Sequence, residues 1–145
     1  MKKFLAFIAG TMFLFVVACA QDIKSSEVPA AVKSALLKKY PDATKVSWEK
    51  ENGNYEANWG GKSGEDNAAQ FTPGGAFVEI EKAISINELP ASAKSYVNEH
   101  EKGATIKEAA RIIDANGKTS YEAEVKGKDL IFDENGNYLK TASGD

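Results

Sequence analysis

Val28-Pro29-Ala30-Ala31-Val32-Lys33-Ser34 returns as Leu89-Pro90-Ala91-Ser92-Ala93-Lys94-Ser95, 61 residues later. Tyr55-Glu56-Ala57 returns as Tyr121-Glu122-Ala123, and Phe71-Thr72-Pro73-Gly74-Gly75-Ala76-Phe77-Val78 aligns with Phe132-Asp133-Glu134-Asn135-Gly136-Asn137-Tyr138-Leu139. The offset runs 61, then 66, then 61 again, so the two halves share an order of elements and differ in loop length. Self-similarity of this kind marks a duplicated structural unit.

The first copy predicts a helix. Val28, Val32, Leu36 and Tyr40 recur at four-residue intervals, with Ala31 and Ala35 beside them and Lys33, Lys38 and Lys39 largely on the other side. Ser26 is the expected cap, and Pro29 suits the first turn, where backbone N–H groups have no intrahelical partner. Pro41 ends the helix by removing a donor and restricting the residue before it. In the second copy Asn87 is the expected cap, Leu89, Ala93, Tyr96 and Val97 face inward, and Gly103 closes the helix.

Beyond each helix the hydrophobic period falls to two, the mark of half-buried strands. Val46 and Trp48 alternate with polar residues, Asn52-Gly53 marks a type I′ hairpin turn, and Tyr55, Ala57 and Trp59 alternate with Glu56 and Asn58. Ile112 and Ile113, Asn116-Gly117, then Tyr121, Ala123 and Val125 repeat the plan. Each half ends in a further hairpin, around Pro73-Gly74-Gly75 in the first and Asn135-Gly136 in the second. Gln21 to Ser25 reads as a polar lead-in. The fold class is α+β: two tandem repeats, each a helix followed by four antiparallel strands, at residues 21–84 and 85–145. Joining the two sheets edge to edge removes two exposed edges, so one continuous sheet is expected.

Residues 1–20 read as a signal peptide: a basic start at Lys2 and Lys3, an apolar run from Phe4 to Ala18, and a small-residue end at Ala18-Cys19-Ala20. The run is shorter than the roughly 20 residues that span a bilayer. Two processing routes fit. Cleavage after Ala20 releases a periplasmic or secreted chain and is favoured; Val16-Val17-Ala18-Cys19 also fits a lipobox that would lipidate Cys19 and anchor the chain in the envelope. Cleavage after Ala20 leaves 16 basic and 21 acidic residues and no cysteine, so the domain has no disulfide and presents no basic stripe for nucleic acid.

The chain is poor in catalytic equipment. His100 is the only histidine, at a helix end where a cation suits the dipole. No zinc spacing, no phosphate-binding glycine loop and no cofactor signature is present. Asp133-Glu134-Asn135-Gly136-Asn137 lacks the glycine position and closing Glu of an EF-hand and reads as a hairpin turn. Glu79 and Glu81, like Glu122 and Glu124, alternate along strands and are expected on the open side of the sheet. These features predict a non-enzymatic protein without cofactor or metal.

Asymmetries between the halves supply the candidate partner-binding residues. Trp48, Tyr55 and Trp59 either fill the first core or anchor a partner on an uncovered sheet face. Lys62, Glu65 and Asp66 lie in the glycine-rich 60–67 segment, which is longer than its counterpart and reads as an ordinary loop or a partner-probing one.

The signal peptide, the duplicated Leu/Val-Pro-Ala helix, the Tyr-Glu-Ala strand and the Phe-x-x-x-Gly-x-Tyr/Phe hairpin together resemble the secreted PepSY-like, β-lactamase-inhibitor-like proteins over residues 27–140. The resemblance implies tandem helix-plus-sheet units and a role in binding or restraining an exported peptidase or another envelope protein. It transfers no catalytic motif, and the absence of a cysteine pair separates this chain from the β-lactamase inhibitor protein itself. The alternatives are a small-ligand or ion-binding module using the concave sheet and its acidic side chains, or a purely structural envelope domain.

Overall fold

Pro29 and Pro90 stand at the N-caps of two ten-residue helices, α1 (Ala30–Lys39) and α2 (Ala91–His100), in the computed structural model, which describes residues 21–143. The signal peptide and Cys19 lie outside the described residues. Each proline turns its carbonyl into the helix, accepting from Lys33 N at 3.2 Å in α1 and from Lys94 N at 3.2 Å in α2. Ser26 and Asn87 do not cap these helices. Each belongs to a separate 3-10 turn just upstream, Ser25–Glu27 and Ile86–Glu88. Those turns take the capping side chains for themselves: Glu27 accepts from Lys24 N and Glu88 from Ser85 N, both at 2.9 Å. Lys33 and Lys94, equivalent in the repeat, then tie helix to turn by donating to the carbonyls of Ser25 and Asn87.

Nine strands form one antiparallel sheet whose spatial order is the chain order: β1 (Gln21–Ile23), β2 (Ser47–Glu51), β3 (Asn54–Trp59), β4 (Asn67–Phe71), β5 (Phe77–Ala83), β6 (Ala109–Asp114), β7 (Thr119–Val125), β8 (Lys128–Asp133) and β9 (Tyr138–Ser143). The expected union of the two halves is the β5–β6 pair, with Glu79 opposite Asp114 and Ile80 opposite Ile113. The polar lead-in is a strand rather than a tail. Ile23 pairs with Trp48 and packs on the first core, while Gln21 and Asp22 stay exposed; three residues are too few for a periodic signal.

Turn chemistry divides the hairpins into two kinds. Asn52 (φ 49°) and Gly53 (φ 83°) make the expected type I′ turn. Asn116 and Asn135 do not adopt positive φ. In their turns Asp114 and Asp133 each accept two backbone N–H groups through Oδ1, from Asn116 and Lys118 and from Asn135 and Asn137. Thr72 plays the same part in the β4–β5 turn, accepting from Ala76 N at 3.1 Å.

Both helices lie on one face of the sheet, each over its own core. Val28, Val32 and Leu36 pack on Trp48, Ala57, Trp59, Ala69, Phe71 and Ile80. Leu89, Ala93 and Val97 pack on Ala109, Ala123, Val125, Leu130 and Phe132. Register shifts at Gln70/Phe71 and at the repeat-related Ile131/Phe132 bend the sheet in both halves.

Candidate functional site

Alternation along the strands puts a charged row opposite each core row. Tyr55 and Ala57, like Tyr121 and Ala123, pack toward the helices, so Glu56 and Glu122 between them point to the other side. There they join Glu49, Glu51, Glu79, Glu81, Glu124 and Asp129 in a groove of about 1210 Å³ running across the uncovered face. The open face is concave: a single groove is lined by residues from β2, such as Glu49, through to Lys140 on β9.

Side-chain amides organise the first half of this face. Asn58, itself buried, donates to Glu49 at 3.2 Å; Asn54 donates to Gln70 at 3.2 Å, and Gln70 to Glu51 at 3.4 Å. In the second half Lys107 forms a 3.4 Å ion pair with Glu124. Burial pushes the Glu79 carboxyl above the usual range, and the neighbouring Asp114 adds to the shift while Lys140 opposes it. Ile112 on β6, Ile131 on β8 and Leu139 on β9 add apolar surface in the second half of the groove. Among the described residues no three acidic, histidine or cysteine side chains are placed to hold a metal ion. What the face offers is a broad, open, negatively charged concavity.

The candidate residues separate into three groups. Trp48 (5% exposed) and Trp59 (8%) are core residues under α1, with Tyr40 packed 5.2 Å from Trp59 between ring centroids. This corrects the partner-anchoring alternative for them: they share the helix-covered side of β2 and β3 and cannot reach the open face. Tyr55 is half-buried against the same core, with Lys50 Nζ 5.5 Å from its ring centre. Lys62, Glu65 and Asp66 are exposed in the loop between β3 and β4, and Glu65 and Asp66 reach the rim of the groove whereas Lys62 does not line it. The loop is anchored by Asn67, which donates to Trp59 O at 3.1 Å, and by Ala83 N, which donates to Asp66 O at 3.0 Å. In the second repeat the corresponding turn is only Lys126-Gly127.

Of the groove carboxylates, Glu65 and Asp66 were sequence-based partner-binding candidates, and Glu79, Glu81, Glu122 and Glu124 were expected on the open side without being assigned a site. Their signal, acid at every second position, was visible; their convergence needed the register. Asp133 is fully engaged in its turn, with Asn137 Nδ2 also donating to Oδ2 at 2.9 Å, and these bonds hold its carboxyl below the usual range.

A family model described as "Putative beta-lactamase-inhibitor-like, PepSY-like" matches residues 15–62 and again residues 58–140. The fold is similar to that of a Bacteroides eggerthii protein described as "putative periplasmic" (TM-score 0.68, 20% identity, 80% of this chain and 88% of that one). It is similar as well to a DUF2874 family protein of Bacteroides ovatus (0.64, 21%, 79% and 86%) and to a BLIP-like protein of Bacteroides fragilis (0.61, 27%, 81% and 89%). No curated protein matches the chain. Among the described residues no helix is long and apolar enough to cross a membrane.

Proposed function

The chain belongs to the PepSY-like, β-lactamase-inhibitor-like family, and from that premise we propose that it is a non-enzymatic exported protein that binds another extracytoplasmic protein through the open face of its sheet. The observation that carries this reading is the one-sided covering: two helices bury one face of nine strands, and the other remains a concave surface lined by polar side chains. A groove of about 1210 Å³ exceeds the roughly 300–1,000 Å³ of ordinary small-molecule pockets, and its carboxylate lining differs from their mainly apolar walls. Both points favour a protein segment over a small ligand. An exported peptidase is the target class that the family resemblance suggests, and Glu65 and Asp66 at the rim extend the surface such a target would meet.

The test is site-specific photo-crosslinking in the cell envelope. Crosslinkers at Gln70 and Ala110 in the groove should capture one partner that crosslinkers at the exposed helix positions Ser34 and Ser95 do not. Capture from the helices alone would reject the open face as the binding surface.

A further inference from the structure

We infer that the occupant of the open face is a cationic, protruding segment of the partner, a loop or extended stretch rich in lysine and arginine. This rests on the protein-binding reading above and adds the chemistry of what is bound. Three observations carry it.

The first is charge segregation. Of the 21 acidic residues in the sequence, 12 line the groove; of the 18 lysines and arginines, only Lys107, Lys118 and Lys140 do. Beyond the signal peptide, the residues outside the groove are therefore nine acidic and 13 basic, so the negative charge is gathered on one face and the remainder is slightly positive. Such a concavity concentrates its field on whatever approaches and selects positive charge.

The second is the pairing of like charges. Directly opposite each other across neighbouring strands stand Glu49 and Glu56, Glu79 and Asp114, and Glu124 and Asp129. Like charges in directly opposed positions destabilise a sheet. Lys107 pairs with Glu124 and Asn58 donates to Glu49, yet the groove as a whole holds 12 carboxylates against three lysines, and a cationic segment supplies the opposite charge. The third is shape: the face is curved and open along its length, which admits a projecting segment more readily than a flat surface.

The test uses three peptides of about a dozen residues, one rich in lysine and arginine, one with glutamine and one with glutamate in their place. Binding is read by calorimetry and by backbone amide shifts of the mature protein. Only the basic peptide should saturate, with shifts confined to the groove strands and affinity falling about ten-fold between about 50 and about 500 mM salt. The triple variant E56Q/E79Q/E122Q should weaken it about ten-fold, while D42N/E99Q/E134Q, an equal change of charge at exposed sites outside the groove, should change it less than about two-fold. Equal binding of the glutamine peptide, equal weakening by the two triples, or no saturable binding would overturn the inference. If the groove crosslinkers capture a partner through a neutral or acidic segment, the cationic occupant is rejected and the protein-binding reading stands; if they capture nothing, the reading itself falls.

Discussion

Lys39 holds its ammonium 4.1 Å from the centre of the Phe77 ring, joining the last turn of α1 to the start of β5. The two positions shifted by 61 are His100 and Tyr138, and there the same junction is built differently: His100 stacks on Tyr96 at 4.2 Å, and Tyr96 stacks on Tyr138 at 4.5 Å. One site in the repeat is thus closed by a cation over a ring and the other by a column of three rings. Lys39→Ala should cost about 0.5–1 kcal/mol, the range for an exposed cation–π contact. A double-mutant cycle with Phe77→Leu in urea unfolding checks it, and additive losses would remove the contact from the account.

Phe132 is fully buried beneath α2, and its repeat mate Phe71 occupies the same place beneath α1. Phe132→Ala should destabilise by about 3–5 kcal/mol through lost burial and an unfilled cavity. Trp59→Ala should fall in a similar range, about 3–5 kcal/mol, so reduced partner capture by that variant would report a weakened core. Denaturant midpoints for both variants decide this; a Trp59→Ala midpoint equal to wild type would restore the tryptophan to the list of surface candidates.

Gly136 turns at φ 80° against the start of α2, where an added Cβ would come within 2.7 Å of Pro90 Cβ and 2.9 Å of Ala93 N. Gly64 has φ 93° and open space around it. Gly64→Ala should therefore pay the backbone strain alone, about 1 kcal/mol, and Gly136→Ala that strain plus the displacement of the helix N-terminus. Comparable melting temperatures for the two variants would contradict the tight packing of turn on helix.

Two carboxyls should titrate with opposite consequences. Hydrogen bonds from Asn137 and Asn135 lower the Asp133 pKa; its contribution is present above the ordinary carboxylate pKa and is lost as pH falls through the depressed folded value. Glu79 is raised, by burial first, so its contribution favours the fold below the ordinary pKa and is lost as pH rises through the raised one. Glu79→Gln should stabilise the protein at neutral pH and leave it unchanged in acid, whereas Asp133→Ala should destabilise at neutral pH with a deficit that narrows in acid. Melting temperatures across pH 3–8, about the span of carboxylate titration, read both; matching pH profiles for the two variants would refute the assignment.

Much of this architecture was legible in local patterns. The alternation of Tyr55, Ala57 and Trp59, and of Tyr121, Ala123 and Val125, identified strands and grouped their side chains by face. It could not say which face a helix covers, and that left Trp48 and Trp59 open between core and surface. Ile23 was invisible because three residues carry no period. Ser26 and Asn87 misled because a cap-forming residue type does not declare its place: each is the middle residue of a 3-10 turn that precedes the α-helix, and Lys24 and Ser85 hold the cap positions of those turns. The groove needed most from tertiary structure: Glu49 and Glu56 lie seven residues apart in sequence, but Glu79 and Asp114 become neighbours only when the two halves join.

Strand order that follows chain order has a consequence for assembly in time. Each hairpin docks on the free edge left by the one before it, and no strand waits for a later segment to be inserted between neighbours already paired. A chain emerging N-terminus first can complete its first helix-and-sheet unit before the second has appeared, and pairings between sequence neighbours are those that form fastest. The same geometry explains how duplication could enlarge this sheet without breaking a single existing pair: new strands are appended at the margin, as courses are added to a wall.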